Sequence, residues 1–184
     1  VLAGGESRRM GRTKALVPVD GVPMGARVAA ALGAGGCEEV VVVGGSAAEL
    51  QVLGHPIVAD AHPGAGPVGG VITALLHFDE AAHVLVAACD LAMLDAATVQ
   101  HLLLASRRRP ECAAIVAHTD RVEPALVVWN RAATGEVMEL FADGERAVHR
   151  VLARIDTHEV QVDATALLNV NRPEDVLGSD QRCQ

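Results

Sequence analysis

Apolar and polar positions follow two periods along this chain, and the switches between them mark out its elements. β-branched apolar runs predict strands at Glu39 to Val43, Ile57 to Ala59, His83 to Ala88, Ala113 to Ala117, Ala125 to Trp129 and Glu159 to Val162. Val1 and Leu2 read as the tail of one more strand whose beginning lies outside this numbering. Stretches of helical period predict helices around Met24 to Leu32, Ala47 to Leu53, Val68 to His77, Ala96 to Ser106, Ala132 to Phe141 and Arg146 to Arg154. The first of these stops at Gly33, Gly35 and Gly36, residues suited to ending a helix. Strands alternating with helices imply βαβ units, so the pattern predicts an α/β fold whose mainly parallel central sheet is covered on both faces. The less regular part beyond Pro110 has room for an antiparallel strand or hairpin. With no repeat or linker, residues 1–184 read as one domain.

Composition narrows this picture. Hydrophobic residues make up 51% of the chain but aromatics only 2%, so the core must be aliphatic. The longest apolar runs, such as Val84 to Cys89, are too short to span a bilayer, and no basic-then-apolar leader opens the chain. The expectation is a cytoplasmic protein with no membrane partner. A net charge of -8 and a pI near 5.4 argue against nucleic-acid binding by phosphate neutralisation. Cys37, Cys89, Cys112 and Cys183 form no C-x-x-C pair, and the histidines show no metal-ligand spacing.

Against that acidic background the first fourteen residues carry Arg8, Arg9, Arg12 and Lys14, opposed only by Glu6. Lys14 is the sole lysine among 15 basic residues. A compact ammonium reaches phosphate oxygens from a crowded loop where a guanidinium fork does not fit. In the segment Leu2-Ala3-Gly4-Gly5 that follows the first strand, backbone N–H groups can approach an anion closely because no Cβ intervenes. The segment is neither a Walker A loop, since Ala15 follows Lys14, nor a G-x-G-x-x-G turn. A basic Gly-rich turn is the plain alternative to phosphate binding.

Three further places carry candidate chemistry. Asp90 ends the run His83 to Cys89, a position suited to a Mg²⁺ ligand, whereas Asp95 fits better as the cap of the next helix. Asp60 opens a Gly- and Pro-rich loop after a short strand and reads either as a ligand contact or as the cap of its own turn. Asn169 and Asn171, two apart on an extended backbone, point to one side ahead of a helix start at Pro173. Arg107 to Arg109 fit a helix terminus, and Trp129 and Phe141 fit the core. His149 and Arg150 fit a surface helix face better than a second-substrate contact.

Taken in order, L-A-G-G-x-S-x-R-M-G-x-x-K-A-L, Asp60 with Pro63 to Pro67, Gly69-Gly70, Val86 to Asp90, Glu123 to Leu126, Gly144 to Val148 and Asn169 to Asp175 resemble the molybdenum cofactor guanylyltransferase family nearly end to end. The resemblance implies a three-layer, Rossmann-like nucleotidyltransferase sandwich. It also implies transfer of GMP from GTP to the phosphate of molybdenum-molybdopterin, with transient contacts to other cofactor-biosynthesis proteins. In such members Leu2, Ala3, Gly4 and Gly5 lie against the nucleotide, Lys14 holds its phosphates, and Asp60 contacts the nucleoside. Asp90 holds Mg²⁺, and Asn169 and Asn171 face the second substrate. A phosphate nucleophile with a second pKa of about 6 needs no general base, so catalysis falls to Lys14, Arg9 and Asp90 as aligners and charge neutralisers. In place of the proline common after the metal-binding Asp, this chain has Leu91-Ala92. Rival readings are a cytidylyl or other phosphate-acceptor enzyme on the same scaffold, and a nucleotide-binding partner without catalysis.

Overall fold

The computed structural model describes residues 1–4 and 13–168. Among these residues eight strands are formed: β1 (Pro18–Val19), β2 (Val22–Pro23), β3 (Val42–Val43), β4 (Ile57–Val58), β5 (His83–Ala87), β6 (Ala114–His118), β7 (Val122–Asn130) and β8 (Thr157–Gln161). Six α-helices accompany them: α1 (Met24–Ala34), α2 (Ala47–Leu50), α3 (Pro67–His77), α4 (Ala96–Arg108), α5 (Thr134–Ala142) and α6 (Val148–Leu152). The α4 helix starts as its sequence demands, with the Asp95 side chain accepting from the Thr98 N–H at 2.7 Å.

β4 and β3 pair in parallel, and β5, β7, β6 and β8 lie side by side in that order. The opening residues join the two sets. Leu2 bridges in parallel to Val43 on one side and Ala88 on the other, through Ala3 N to Val43 O at 2.9 Å and Leu2 N to Ala87 O at 2.8 Å.

The sheet is mixed rather than mainly parallel, because β7 runs antiparallel to both its neighbours, β5 and β6. The cause is the connection. Only residues 119–121 separate β6 from β7, far too few for a crossover. The β6–β7 register then jumps from Val116 opposite Val127 to Ala117 opposite Glu123, leaving Pro124 to Leu126 outside that ladder. Pro124 has no N–H to donate, so a bulge is where a strand can hold it.

Alternate residues of the sheet feed two aliphatic cores. Leu126 and Val128 of β7 join α1 and α4 on one face, while Val127 and Trp129 join α3, α5 and α6 on the other. The three-layer α/β class is therefore as expected. The β1–β2 hairpin is an addition to the expected elements, its two-residue strands being too short to show a period in the sequence. Its two-residue turn, Asp20-Gly21, has both φ values positive, at 51° and 79°, as the tightest hairpin turns require. Among the described residues no helix is long and apolar enough to cross a membrane.

Candidate functional site

Four chain segments end together at the carboxyl edge of the parallel strands. Residues 1–3 run into Gly4, β3 into Gly44-Gly45, β4 into Asp60, and β5 into Cys89-Asp90. The first two loops touch through backbone. A Cβ on Gly44 would sit 3.1 Å from Gly4 Cα, and Gly44 also has φ of +79°, so no other residue fits there without strain. A Cβ on Gly4 would lie 3.8 Å from Asp60 Oδ2, which places this carboxylate oxygen beside the glycine backbone.

The orientation of Asp60 is fixed from behind. Its Oδ1 accepts from His62 N–H at 2.9 Å and lies 3.1 Å from the Thr73 hydroxyl. Thr73 is a buried polar residue in the otherwise apolar α3, and its hydroxyl also accepts from Ala61 N–H at 3.1 Å. The turn-capping reading of Asp60 is thus correct for one oxygen, and Oδ2 faces Gly4. Glycines let this loop and the helix after it pack closely: a Cβ on Gly66 of the loop would be 3.0 Å from Arg146 O, and one on Gly70 of α3 would be 3.1 Å from Leu2 Cδ2.

Lys14 opens a 3₁₀ turn (Lys14–Leu16) whose buried Ala15 is seated on Gly25 of α1. Its ammonium Nζ donates to Asp90 Oδ2 at 2.6 Å. Both side chains are about three-quarters or more buried, at 26% and 19% exposed. Asp90 Oδ1 is enclosed and has no hydrogen-bond partner among the described residues. A buried carboxylate oxygen left without a donor is costly, and a cation would relieve that cost. A hard oxygen donor of this kind fits Mg²⁺. No cluster of three or more His, Cys, Asp or Glu side chains able to hold a metal occurs among the described residues, so substrate phosphates and water would complete the shell. The neighbouring Cys89 packs into the core on the α1–α4 face, where its thiol pKa is pushed up to about 11, first by burial and then by the Asp90 charge.

The structure thus brings Lys14 and Asp90 into contact and sets Asp60 beside Gly4, with buried Ala3 and half-buried Leu2 in the strand between. Gly5, Arg9, Asn169 and Asn171 lie outside the described residues. Sequence reasoning missed Gly44-Gly45, although a glycine pair ending a β-branched run is the same signal as Gly4-Gly5. Thr73 carried no signal, because nothing in its sequence shows that it faces Asp60.

Beside these groups, on the β7 side, opens a cavity of about 570 Å³ lined by Leu2, Pro67, Ala88, Pro124, Trp129 and Arg146. The Arg146 guanidinium sits 3.9 Å from the centre of the Phe141 ring and donates to Phe141 O at 2.5 Å. Exposed His149 and Arg150, expected on a plain surface, also line this cavity. A larger cavity of about 640 Å³ lies at the amino ends of the strands, against Val1, Val41 and His83, and Leu2 is the one candidate residue on its lining.

A three-layer α/β sandwich with glycine backbone, a lysine and two carboxylates gathered at its strand ends defines a nucleotide-handling domain of the nucleotidyltransferase class. The chain belongs to the MobA-like NTP transferase domain family, whose model matches residues 1–160. It is 36% identical over 181 residues to a molybdenum cofactor guanylyltransferase of Cereibacter sphaeroides, covering 96% of this chain and 91% of that one. It is 31% identical over 179 residues to a molybdenum cofactor guanylyltransferase of Xanthomonas euvesicatoria pv. vesicatoria, covering 95% and 89%. The fold matches the crystal structure of molybdopterin-guanine dinucleotide biosynthesis protein A from Archaeoglobus fulgidus with a TM-score of 0.77, at 24% identity and 99% and 96% coverage.

Proposed function

We propose that this protein transfers GMP from GTP to the phosphate of molybdenum-molybdopterin, releasing pyrophosphate. The observation that carries the reading is the 2.6 Å contact between Lys14 and Asp90 beside an unpartnered Asp90 oxygen, in a chain similar to guanylyltransferases over most of its length. An acceptor phosphate oxygen forms a bond to the α-phosphorus of GTP. The bond from that phosphorus to the α,β-bridging oxygen breaks, and its electron pair leaves with pyrophosphate.

The chain's residues do their work by placement. Leu2, Ala3, Gly4 and Gly5 present backbone to the nucleotide, and Asp60 Oδ2 takes the nucleoside side. Lys14 spans from Asp90 to the phosphates, since an ammonium has three N–H donors, and Arg9 adds a second cation. Asp90 would hold Mg²⁺, and the ion would supply charge neutralisation at the triphosphate. Asn169 and Asn171 face the acceptor. The cavity beside Ala88 has room for it, and Arg146 and Arg150 suit a phosphorylated ligand. The chain works as a single nucleotidyltransferase domain in the cytoplasm, on two small polyanions. Its net charge of -8 supports that choice over a nucleic acid.

Thermal shift with Mg²⁺ and each of GTP, CTP, UTP and ATP tests this reading, because selective binding raises apparent stability by mass action. GTP gives the largest shift. A larger response to CTP overturns the guanylyl assignment, and no response to any of the four removes the nucleotide site altogether.

A further inference from the structure

Lys14 and Asp90 sit on separate loops, and neither loop sets their separation alone. Lys14 precedes the β1–β2 hairpin, and Asp90 begins the segment that leads from β5 to α4. Within that segment the internal hydrogen bonds are turns, Leu91 N to Ala88 O at 3.3 Å and Leu94 N to Leu91 O at 2.9 Å. The start of the segment is tied to the sheet, through Ala88 N–H to Ala125 O at 2.8 Å and Cys89 N–H to Leu2 O at 3.1 Å, whereas turns alone do not hold the stretch beyond Asp90 against its surroundings.

Helix α1 supplies the fixing. Arg27 donates from Nε to Ala92 O at 2.9 Å and from Nη1 to Val19 O at 3.4 Å. Nη1 also lies 3.5 Å from Asp20 Oδ2. One guanidinium therefore ties the hairpin that follows Lys14 to the loop that follows Asp90. Met24, three residues earlier on the same helix face, is fully buried with Val17, Val19 and Ala92, so packing and hydrogen bonding converge on the same two loops. Gly25 of the same turn receives Ala15 at close range, since a Cβ on Gly25 would lie 3.1 Å from Ala15 Cβ. The planar fork suits this task, because it reaches two carbonyls at fixed angles where an ammonium is a single point.

We propose that Arg27 is a positioning residue that sets the spacing of Lys14 and Asp90, and through it the affinity for the divalent cation and the rate of transfer. This inference rests on the reading that Lys14 and Asp90 act on one triphosphate. It requires no contact between Arg27 and either substrate.

The test compares Arg27→Met, Arg27→Lys and Asp20→Asn with the wild-type enzyme. Asp20→Asn removes the exposed ion pair, and asparagine tolerates the positive φ of that turn. Two readouts are taken: kcat and KM for GTP at saturating Mg²⁺, and the Mg²⁺ concentration that gives half the thermal shift with a non-reactive GTP analogue. For Arg27→Met we expect kcat to fall about 10- to 100-fold with KM for GTP little changed, and the half-saturating Mg²⁺ to rise about tenfold. Arg27→Lys falls between, and Asp20→Asn matches wild type. Wild-type kcat and Mg²⁺ response in Arg27→Met overturn the proposal. So does a loss of activity that follows only a lowered Tm, with Mg²⁺ half-saturation unchanged. Lys14→Met and Asp90→Asn, assayed alongside, separate the two levels. If those remain active, the functional reading fails; if they are inactive and Arg27→Met is not, only the role of Arg27 fails.

Discussion

Lys14 Nζ and Asp90 Oδ2 are 76 residues apart in the chain and 2.6 Å apart in space. The pair leaves Asp90 Oδ1 enclosed without a donor among the described residues, and the ammonium satisfies only the other oxygen. A structural ion pair gains most when both oxygens are bonded. The half-satisfied state is the one expected of a group that also serves a ligand.

Removing the ammonium separates charge from bulk. Lys14→Met should lower kcat/KM for GTP about 10²- to 10³-fold, the range for deleting one donor to a charged transition state. Lys14→Arg should recover little of the loss, because the wider fork has to fit beside Asp90 in a partly buried loop. Pyrophosphate release under saturating acceptor measures both variants.

Thr73 offers a way to loosen Asp60 without altering its charge. Thr73→Val removes the hydroxyl that lies 3.1 Å from Asp60 Oδ1 and leaves Ala61 N–H without its acceptor. The expected cost is about 1–3 kcal/mol of stability by chemical denaturation, with a several-fold higher KM for GTP and a smaller change in kcat. Thr73→Ser keeps the hydroxyl and should retain the wild-type KM.

The loop after Asp60 depends on a missing side chain. Gly66 has φ of +81°, and a Cβ there would stand 3.0 Å from Arg146 O. Gly66→Ala should cost about 1–3 kcal/mol, seen as a lowered Tm, because strain and overpacking add. Gly64, also at positive φ but with open space around it, should cost less when changed to Ala.

Trp129 is 1% exposed, and its indole N–H has no hydrogen-bond partner among the described residues. Trp129→Phe deletes that costly donor together with part of the ring, so the two effects oppose each other. The expected destabilisation is under about 2 kcal/mol, against about 3–5 kcal/mol for Trp129→Ala. Denaturant titration measures both.

Where one physical signal decided an element, the sequence showed it. The apolar run of β5 and the Asp95 cap of α4 appear as read, and Asp60 and Asp90 both follow strands. Direction was harder. The part beyond Pro110 reads as having room for an antiparallel strand, and β7 is one; the three-residue link at 119–121 makes it so, while Pro124 hides that the strand begins at Val122. The β1–β2 hairpin was announced by Asp20-Gly21 and was overlooked between two prolines. Thr73 and Arg27 illustrate a true limit. A threonine in an apolar helix and an arginine among alanines acquire meaning only when the fold brings Asp60 or Ala92 against them.

A double-mutant cycle on Lys14 and Asp90 tests the account most directly, using kcat/KM for GTP in wild type, Lys14→Met, Asp90→Asn and the double variant. Groups that serve one triphosphate act as a unit, so the double variant should be little worse than the poorer single, with a coupling of about 2 kcal/mol or more. Losses that add to within about 0.5 kcal/mol would mean that the two residues act independently, and would contradict a shared ligand.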